Sequence, residues 1–112
     1  MLTKLTISNY ALIDRLEVDF KKGLTIITGE TGAGKSIIMG ALSLILGERA
    51  DSKSVRDKSK KSVVEATFNI SKFDLQHFFE SNDLEYFAEE CILRKEFSDS
   101  GRSRAFVNDT PV

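Results

Sequence analysis

The sequence predicts an α/β domain built on a mixed sheet, and three observations carry that prediction. Two stretches near the start alternate apolar with polar residues, the signature of strands buried on one face. Residues 24–28 (LTIIT) form a β-branched run that ends on a glycine, and residues 37–46 form a strongly apolar helical segment just beyond it. A buried strand, a glycine-rich loop and a helix, set beside antiparallel strands, make a sheet with both parallel and antiparallel members.

In the first strand Leu5 and Ile7 alternate with Lys4, Thr6 and Ser8. Residues 9–11 interrupt the pattern, and Leu16, Val18 and Phe20 against Arg15, Glu17 and Asp19 resume it as a second strand. Short links make these two an antiparallel pair. Residues 21–23 (KKG) read as the turn into the 24–28 strand, which as an apolar run belongs near the centre of the sheet. In the following helix Ile37, Ile38, Ala41, Leu42, Leu44 and Ile45 spread over much of the circumference, predicting broad burial against the sheet. Gly40 suits close packing, and Gly47 is placed to end the helix.

From 48 to 62 the chain turns polar, with Arg49, Lys53, Arg56, Lys58, Lys60 and Lys61 against Glu48, Asp51 and Asp57. Without an apolar period it reads as a mobile, solvated surface loop, and its excess positive charge offers contact with the phosphate of a nucleotide or of DNA as the other reading. Val64, Ala66, Phe68 and Ile70 then mark a strand. Ser71 with Asp74 three residues on predicts a capped amphipathic helix carrying Phe73, Leu75, Phe78 and Phe79, aromatics assigned to the core. His77, the only histidine, lacks a neighbouring ligand set and reads as a surface or core-edge residue. Residues 81–83 break that helix, and the acidic stretch 84–90 carries no clear pattern. Cys91 to Phe97 and Ser103 to Val107 flank a glycine-containing loop and predict a β-hairpin; residues 108–111 are a turn, after which the chain stops without a terminal element. That ending predicts a piece of a larger protein.

A chain of 112 residues with 41% hydrophobic and 29% charged residues is globular in composition, neither disordered nor membranous. A formal net charge of −1 supplies no global basic field. The single cysteine, Cys91, excludes an internal disulfide and reads as a small buried hydrophobe in a reducing compartment. The first residues lead into a strand with no continuous apolar leader, and no run is long enough to span a bilayer, so a soluble cytoplasmic protein is expected.

The chemistry is concentrated in GETGAGKS, residues 29–36, which fits GxxxxGK[ST]. The loop must turn its backbone N–H groups onto a polyphosphate, and Gly29, Gly32 and Gly34 leave room for that where a Cβ would obstruct. Glu30, Thr31 and Ala33 complete the loop, which then runs into a helix whose unpaired first-turn N–H groups finish the anion site. Lys35 is the catalytic candidate, reaching the β- and γ-phosphates, and the Ser36 hydroxyl is the candidate Mg²⁺ ligand. The loop by itself specifies a nucleoside triphosphate site, not a reaction.

SNYALIDRLEVDF, GLTIITGETGAGKSIIMGALSLILGERAD, ILRKEF and GRSRAFVND together resemble the amino-terminal part of the RecN family of bacterial DNA repair proteins, in the SMC-like branch of the ATP-binding cassette ATPases. The resemblance covers nearly the whole chain; at 57–62 the family more often shows a glycine soon after the arginine matching Arg56. It implies that residues 1–112 are the phosphate-loop lobe of an incomplete ABC/SMC-type head, split in sequence by a coiled coil. The second lobe would carry the signature motif and the acidic Mg²⁺ and water-activating residues. The resemblance also implies a head-to-head homodimer that sandwiches ATP with Mg²⁺, action on double-stranded DNA or DNA ends, no membrane, and a cytoplasmic, nucleoid-associated location. Gly29 to Ser36 are the nucleotide loop by that resemblance, and Arg56 matches an arginine that SMC heads direct at nucleotide phosphate. Arg94 and the GRSRAFVN hairpin belong to the family pattern as structural residues.

The sequence has no heptad repeat, no LSGG-type signature and no apolar strand ending in Asp-Glu. Hydrolysis needs a positioned water and groups that neutralise the transferred phosphoryl, so the segment alone is expected to be inactive. A small P-loop kinase is an alternative, as is a DNA-binding or interaction module using the basic loop 49–61, including Lys53, Arg56, Lys58, Lys60 and Lys61.

Overall fold

Backbone pairing follows the alternation in the sequence. The computed structural model describes residues 1–20 and 32–112, with side chains from Ser36 onward in the second stretch. It contains β1 (Leu2–Tyr10), β2 (Ile13–Asp19), α1 (Gly32–Ile45), β3 (Ser62–Phe68), α2 (Gln76–Ser81), β4 (Cys91–Phe97), β5 (Ser103–Val107) and β6 (Thr110–Pro111). The strands form one sheet in the order β2-β1-β3-β4-β5-β6, and each pairing among the described residues is antiparallel. The architecture is α/β, as expected. The parallel member expected at 24–28, like the turn at 21–23, lies outside the described residues.

Register places the apolar positions in rows. Leu5 lies opposite Val18 on β2 and Ala66 on β3, and Ile7 opposite Leu16 and Val64. Leu5, Ile7, Val64 and Ala66 are fully buried, and each large aliphatic removed from water contributes about 1.5–3 kcal/mol. On this face lies α1, whose Ile38, Ala41 and Leu44 join Val55 and Phe97 in the same core. The intervening residues, among them Lys4, Glu17, Glu65, Arg94 and Glu96, point to the opposite face, where they form ion pairs.

The buried stripe of α1 is narrower than the sequence predicts. Ile38, Ala41 and Leu44, three residues apart, are buried, Ile37, Leu42 and Ile45 are half-buried, and Met39 and Leu46 are 62% and 80% exposed. The helix ends as expected: Gly47 has φ +108°, its N–H donates to Leu44 O at 3.2 Å, and Glu48 N–H donates to Ser43 O at 3.0 Å. This Schellman pairing satisfies carbonyls the helix leaves open. Lys95 Nζ donates to Glu48 O at 2.9 Å, placing a cation at that end.

Three expectations need correction. The polar stretch 48–62 is not a free loop: it holds a 3-10 turn (Ser52–Ser54), buries Val55, and is tied to the end of β1 by a Tyr10–Val55 bridge. The helix predicted from Ser71 is shorter, starting at Gln76 with no side-chain cap on Leu75. The Ser71 N–H and hydroxyl instead donate to Asn69 Oδ1 at 3.0 and 2.6 Å, a local turn that competes with helix capping. Of its aromatics only Phe79 is buried, in a second core with Ile70 and Cys91, while Phe73 and Phe78 are exposed. Finally, the terminal turn leads into β6: Asn108 and Asp109, with φ +47° and +68°, form the two-residue hairpin turn that sets Thr110 opposite Val107.

Candidate nucleotide site

The glycine-rich motif and the start of α1 overlap. Gly29, Glu30 and Thr31 lie outside the described residues. Gly32, Ala33, Gly34 and Lys35 form the backbone of the first turn of α1, whose 14 residues begin at Gly32. Ser36 is the first whose side chain is described, and it is exposed. No acidic residue occupies that first turn, so nothing there opposes an anion at the positive end of the helix. By residue type, the lysine and the hydroxyl at positions 35 and 36 suit a nucleotide phosphate with Mg²⁺.

What holds α1 in place is the core beneath it. Gly40 sits against Tyr10 so closely that a Cβ there would stand 2.8 Å from the Tyr10 Oη. Tyr10 also meets Phe97 edge-on, with ring centroids 6.1 Å apart. Burial, with the charge of Asp51 adding to it, raises the phenol pKa above its ordinary value, so Tyr10 is a neutral packing group.

Arg56 follows the buried Val55 at the mouth of the strapped segment. Its Nη1 lies 3.6 Å from Asp14 Oδ1, its N–H donates to Asn9 O at 3.4 Å, and its side chain is 48% exposed. Val55 and α1 share one core, which links the segment bearing Arg56 to the helix bearing Ser36. Arg94 has the structural setting expected of it. Its guanidinium stacks 4.3 Å from the Phe106 centroid, with Nη1 2.8 Å from Asp109 and Nε 3.1 Å from Glu96. The Glu96 contact lacks hydrogen-bond geometry and is coulombic.

Two asparagines that sequence reasoning passed over organise the surroundings. Asn9, buried at φ +54°, donates through Nδ2 to the carbonyls of Asp57, Lys60 and Lys61 at 2.9, 3.0 and 3.3 Å, and accepts the Asp57 N–H at 2.6 Å. The Ser62 hydroxyl donates to the Asn9 carbonyl. Asn108 does the same for the other end of the sheet, accepting from Ile92 N–H and donating to Glu85 O, both at 2.8 Å. The only signal for either was its residue type, since asparagine tolerates positive φ. His77 is exposed and Cys91 is buried, its thiol pKa pushed up by burial, both in keeping with their structural readings. Among the described residues no group of three or more His, Cys, Asp or Glu is arranged to hold a metal, and no helix is long and apolar enough to cross a membrane.

The class is set by the fold, which is that of SMC head domains. An SMC ATPase structure concerned with ATP-driven dimerization and DNA-stimulated activation superposes with a TM-score of 0.69, at 23% identity, over 99% of this chain and 71% of that one. The SMC head domain from Thermotoga maritima gives 0.60, at 18% identity, over 99% of this chain and 38% of that one. The chain belongs to the AAA domain family, which it matches over residues 4–108. Over its whole length it is similar to the DNA repair protein RecN of Haemophilus influenzae, at 43% identity, and of Vibrio cholerae, at 45%. The RecN of Bacillus subtilis is 40% identical over 96% of the chain. The chain spans about a fifth of the length of these relatives, 21%, 20% and 19% in turn.

Proposed function

We propose that this chain is the ATP-binding lobe of a RecN-like ATPase that acts in the repair of DNA double-strand breaks. The observation that carries the reading is the start of α1 inside GETGAGKS, at Gly32, in a chain 43% identical to a DNA repair RecN. Gly29 to Ser36 hold the phosphates through backbone N–H groups, Lys35 balances the charge of the β- and γ-phosphates, and the Ser36 hydroxyl ligates Mg²⁺. Bound Mg²⁺ supplies charge neutralisation for the transferred phosphoryl. Arg56 is the further phosphate contact; its loose, solvent-exposed pairing with Asp14 leaves it free to exchange partners.

The reaction needs groups this chain lacks, so the hydrolysis site is composite. A second lobe of the head supplies the acidic water-activating residues, and two heads close on ATP. In the complete protein, acting in the cytoplasm on double-stranded DNA or its ends, ATP binding drives that closure and hydrolysis releases it. The test is ATP hydrolysis by this chain and by a longer chain carrying the second lobe, each with and without Lys35→Ala. Turnover confined to the longer chain and abolished by Lys35→Ala supports the composite site; hydrolysis or transfer to a small acceptor by the 112-residue chain at an enzyme-like rate overturns it.

A further inference from the structure

We propose that Asn9 is a positioning residue for Arg56: it fixes the peptide planes on both sides of the arginine, so that the guanidinium meets its ligand from a rigid base. The inference rests on the reading that Arg56 contacts nucleotide phosphate, and it adds the residue that places it.

Arg56 lies between the 3-10 turn (Ser52–Ser54) and β3, outside any helix or strand, and the end of β1 holds it there. Before it, Ala11 N–H donates to Ser54 O at 2.6 Å, and Val55 is bridged to Tyr10 and buried in the core that contains α1. At and after it, both flanking peptide planes end on Asn9. The Arg56 N–H donates to Asn9 O at 3.4 Å, and the Asp57 N–H donates to Asn9 Oδ1 at 2.6 Å. Asn9 Nδ2 also donates to Asp57 O at 2.9 Å, so residue 57 is held through both its backbone groups. With those planes fixed, the side chain of Arg56, 48% exposed, is the part left free to move.

Asn9 is itself held from several directions. It is buried at φ +54°, a conformation that persists at a non-glycine residue only when the surroundings impose it. Here Nδ2 reaches Lys60 O and Lys61 O at 3.0 and 3.3 Å, and the Ser62 hydroxyl at the start of β3 donates to the Asn9 carbonyl. The next residue, Tyr10, packs against Gly40, so one stretch of β1 sets Arg56 relative to the helix that bears Ser36. A guanidinium carried on a fixed backbone loses less freedom on meeting phosphate. The pair it would give up, 3.6 Å to Asp14 Oδ1, ends on a carboxylate 86% exposed, where ion pairs contribute little.

The test is binding of fluorescent mant-ATP with Mg²⁺ to the longer chain carrying the second lobe, in Asn9→Gly, Arg56→Gln and the double variant. Thermal unfolding is followed on the same samples. Glycine keeps the positive φ and removes the carboxamide. Arg56→Gln should weaken binding about tenfold, the scale of one charge-assisted contact. Asn9→Gly should weaken it at least about threefold with Arg56 present and less than about twofold without it, while its loss of thermal stability is the same in both backgrounds. General loosening of the fold would act on affinity equally in both, and equal losses would overturn the proposal. Should Asn9→Gly not fold, Ser62→Ala, which releases the Asn9 carbonyl, should show the same dependence on Arg56, and independence would overturn the proposal as well. Unchanged affinity in Arg56→Gln would overturn the phosphate reading of Arg56 and this proposal with it. A tenfold loss in Arg56→Gln with additive effects of Asn9→Gly overturns the positioning role alone.

Discussion

Gly40 and Tyr10 are locked together: any Cβ at position 40 would stand 2.8 Å from the phenol oxygen, whereas the next ring atom, Cζ, is 3.9 Å away. One oxygen atom thus sets how closely α1 approaches the sheet, and this makes the contact testable atom by atom. Alanine at a helix-interior glycine normally gains about 1 kcal/mol of helix propensity. Here Gly40→Ala should lose about 1 kcal/mol because the packed Tyr10 must shift. In a Tyr10→Phe background, with the oxygen gone, the same change should become stabilising. A double-mutant cycle by urea denaturation reads the coupling directly, and additivity would show that Tyr10 yields without cost.

Asn9→Ala should destabilise the fold by about 2–4 kcal/mol, since it strands several partly buried backbone groups and puts alanine at a positive φ. Asn9→Gly removes the bonds but suits the backbone, so the difference between the variants isolates the conformational part. Limited proteolysis should cut first within residues 57–61.

The Lys4–Glu17 pair predicts behaviour in acid. The hydrogen bond from Lys4, and then its charge, hold the Glu17 carboxyl below the ordinary carboxylate range. Because the folded value is the lower one, the pair's contribution is present above the unfolded value, about 4.3, and is lost as pH falls through the folded one. Stability of Glu17→Gln, followed by urea midpoint against pH, should therefore fall less steeply below pH about 4 than that of the parent. Identical slopes would mean that this exposed pair is screened out.

Arg94→Lys should cost about 1–3 kcal/mol although it keeps the charge, because an ammonium cannot both stack on Phe106 and reach Asp109 and Glu96. Thermal unfolding of Arg94→Lys beside Phe106→Leu and the double variant would show whether stacking is what lysine fails to replace.

What was legible in the sequence follows periodicity. Val64 and Ala66 announce β3, and the β4–β5 hairpin, with Gly101 in its loop, has the predicted strand bounds Cys91–Phe97 and Ser103–Val107. What was not legible depends on single non-local bonds. Residues 48–62 look solvated because their backbone is satisfied by Asn9, some fifty positions away and with no period to betray it; Val55 was the one apolar clue. The helix expected at Ser71 failed because Asn69, two residues earlier, captured the capping hydroxyl. In the candidate site, the phosphate loop is legible as a pattern of residue types, while the role of Arg56 rests on resemblance, since no local rule links it to α1.

The pairing of β1 with β3 also dictates an order of assembly. Leu5 meets Ala66 only when a span of about 60 residues has been looped back, whereas the β1–β2 and β4–β5 hairpins close locally and so can form early. The span enclosed by that late seam contains α1 and the whole glycine-rich motif. Completing the sheet therefore also seats α1 on it, so closure of the β1–β3 seam and docking of the helix should register as one kinetic event.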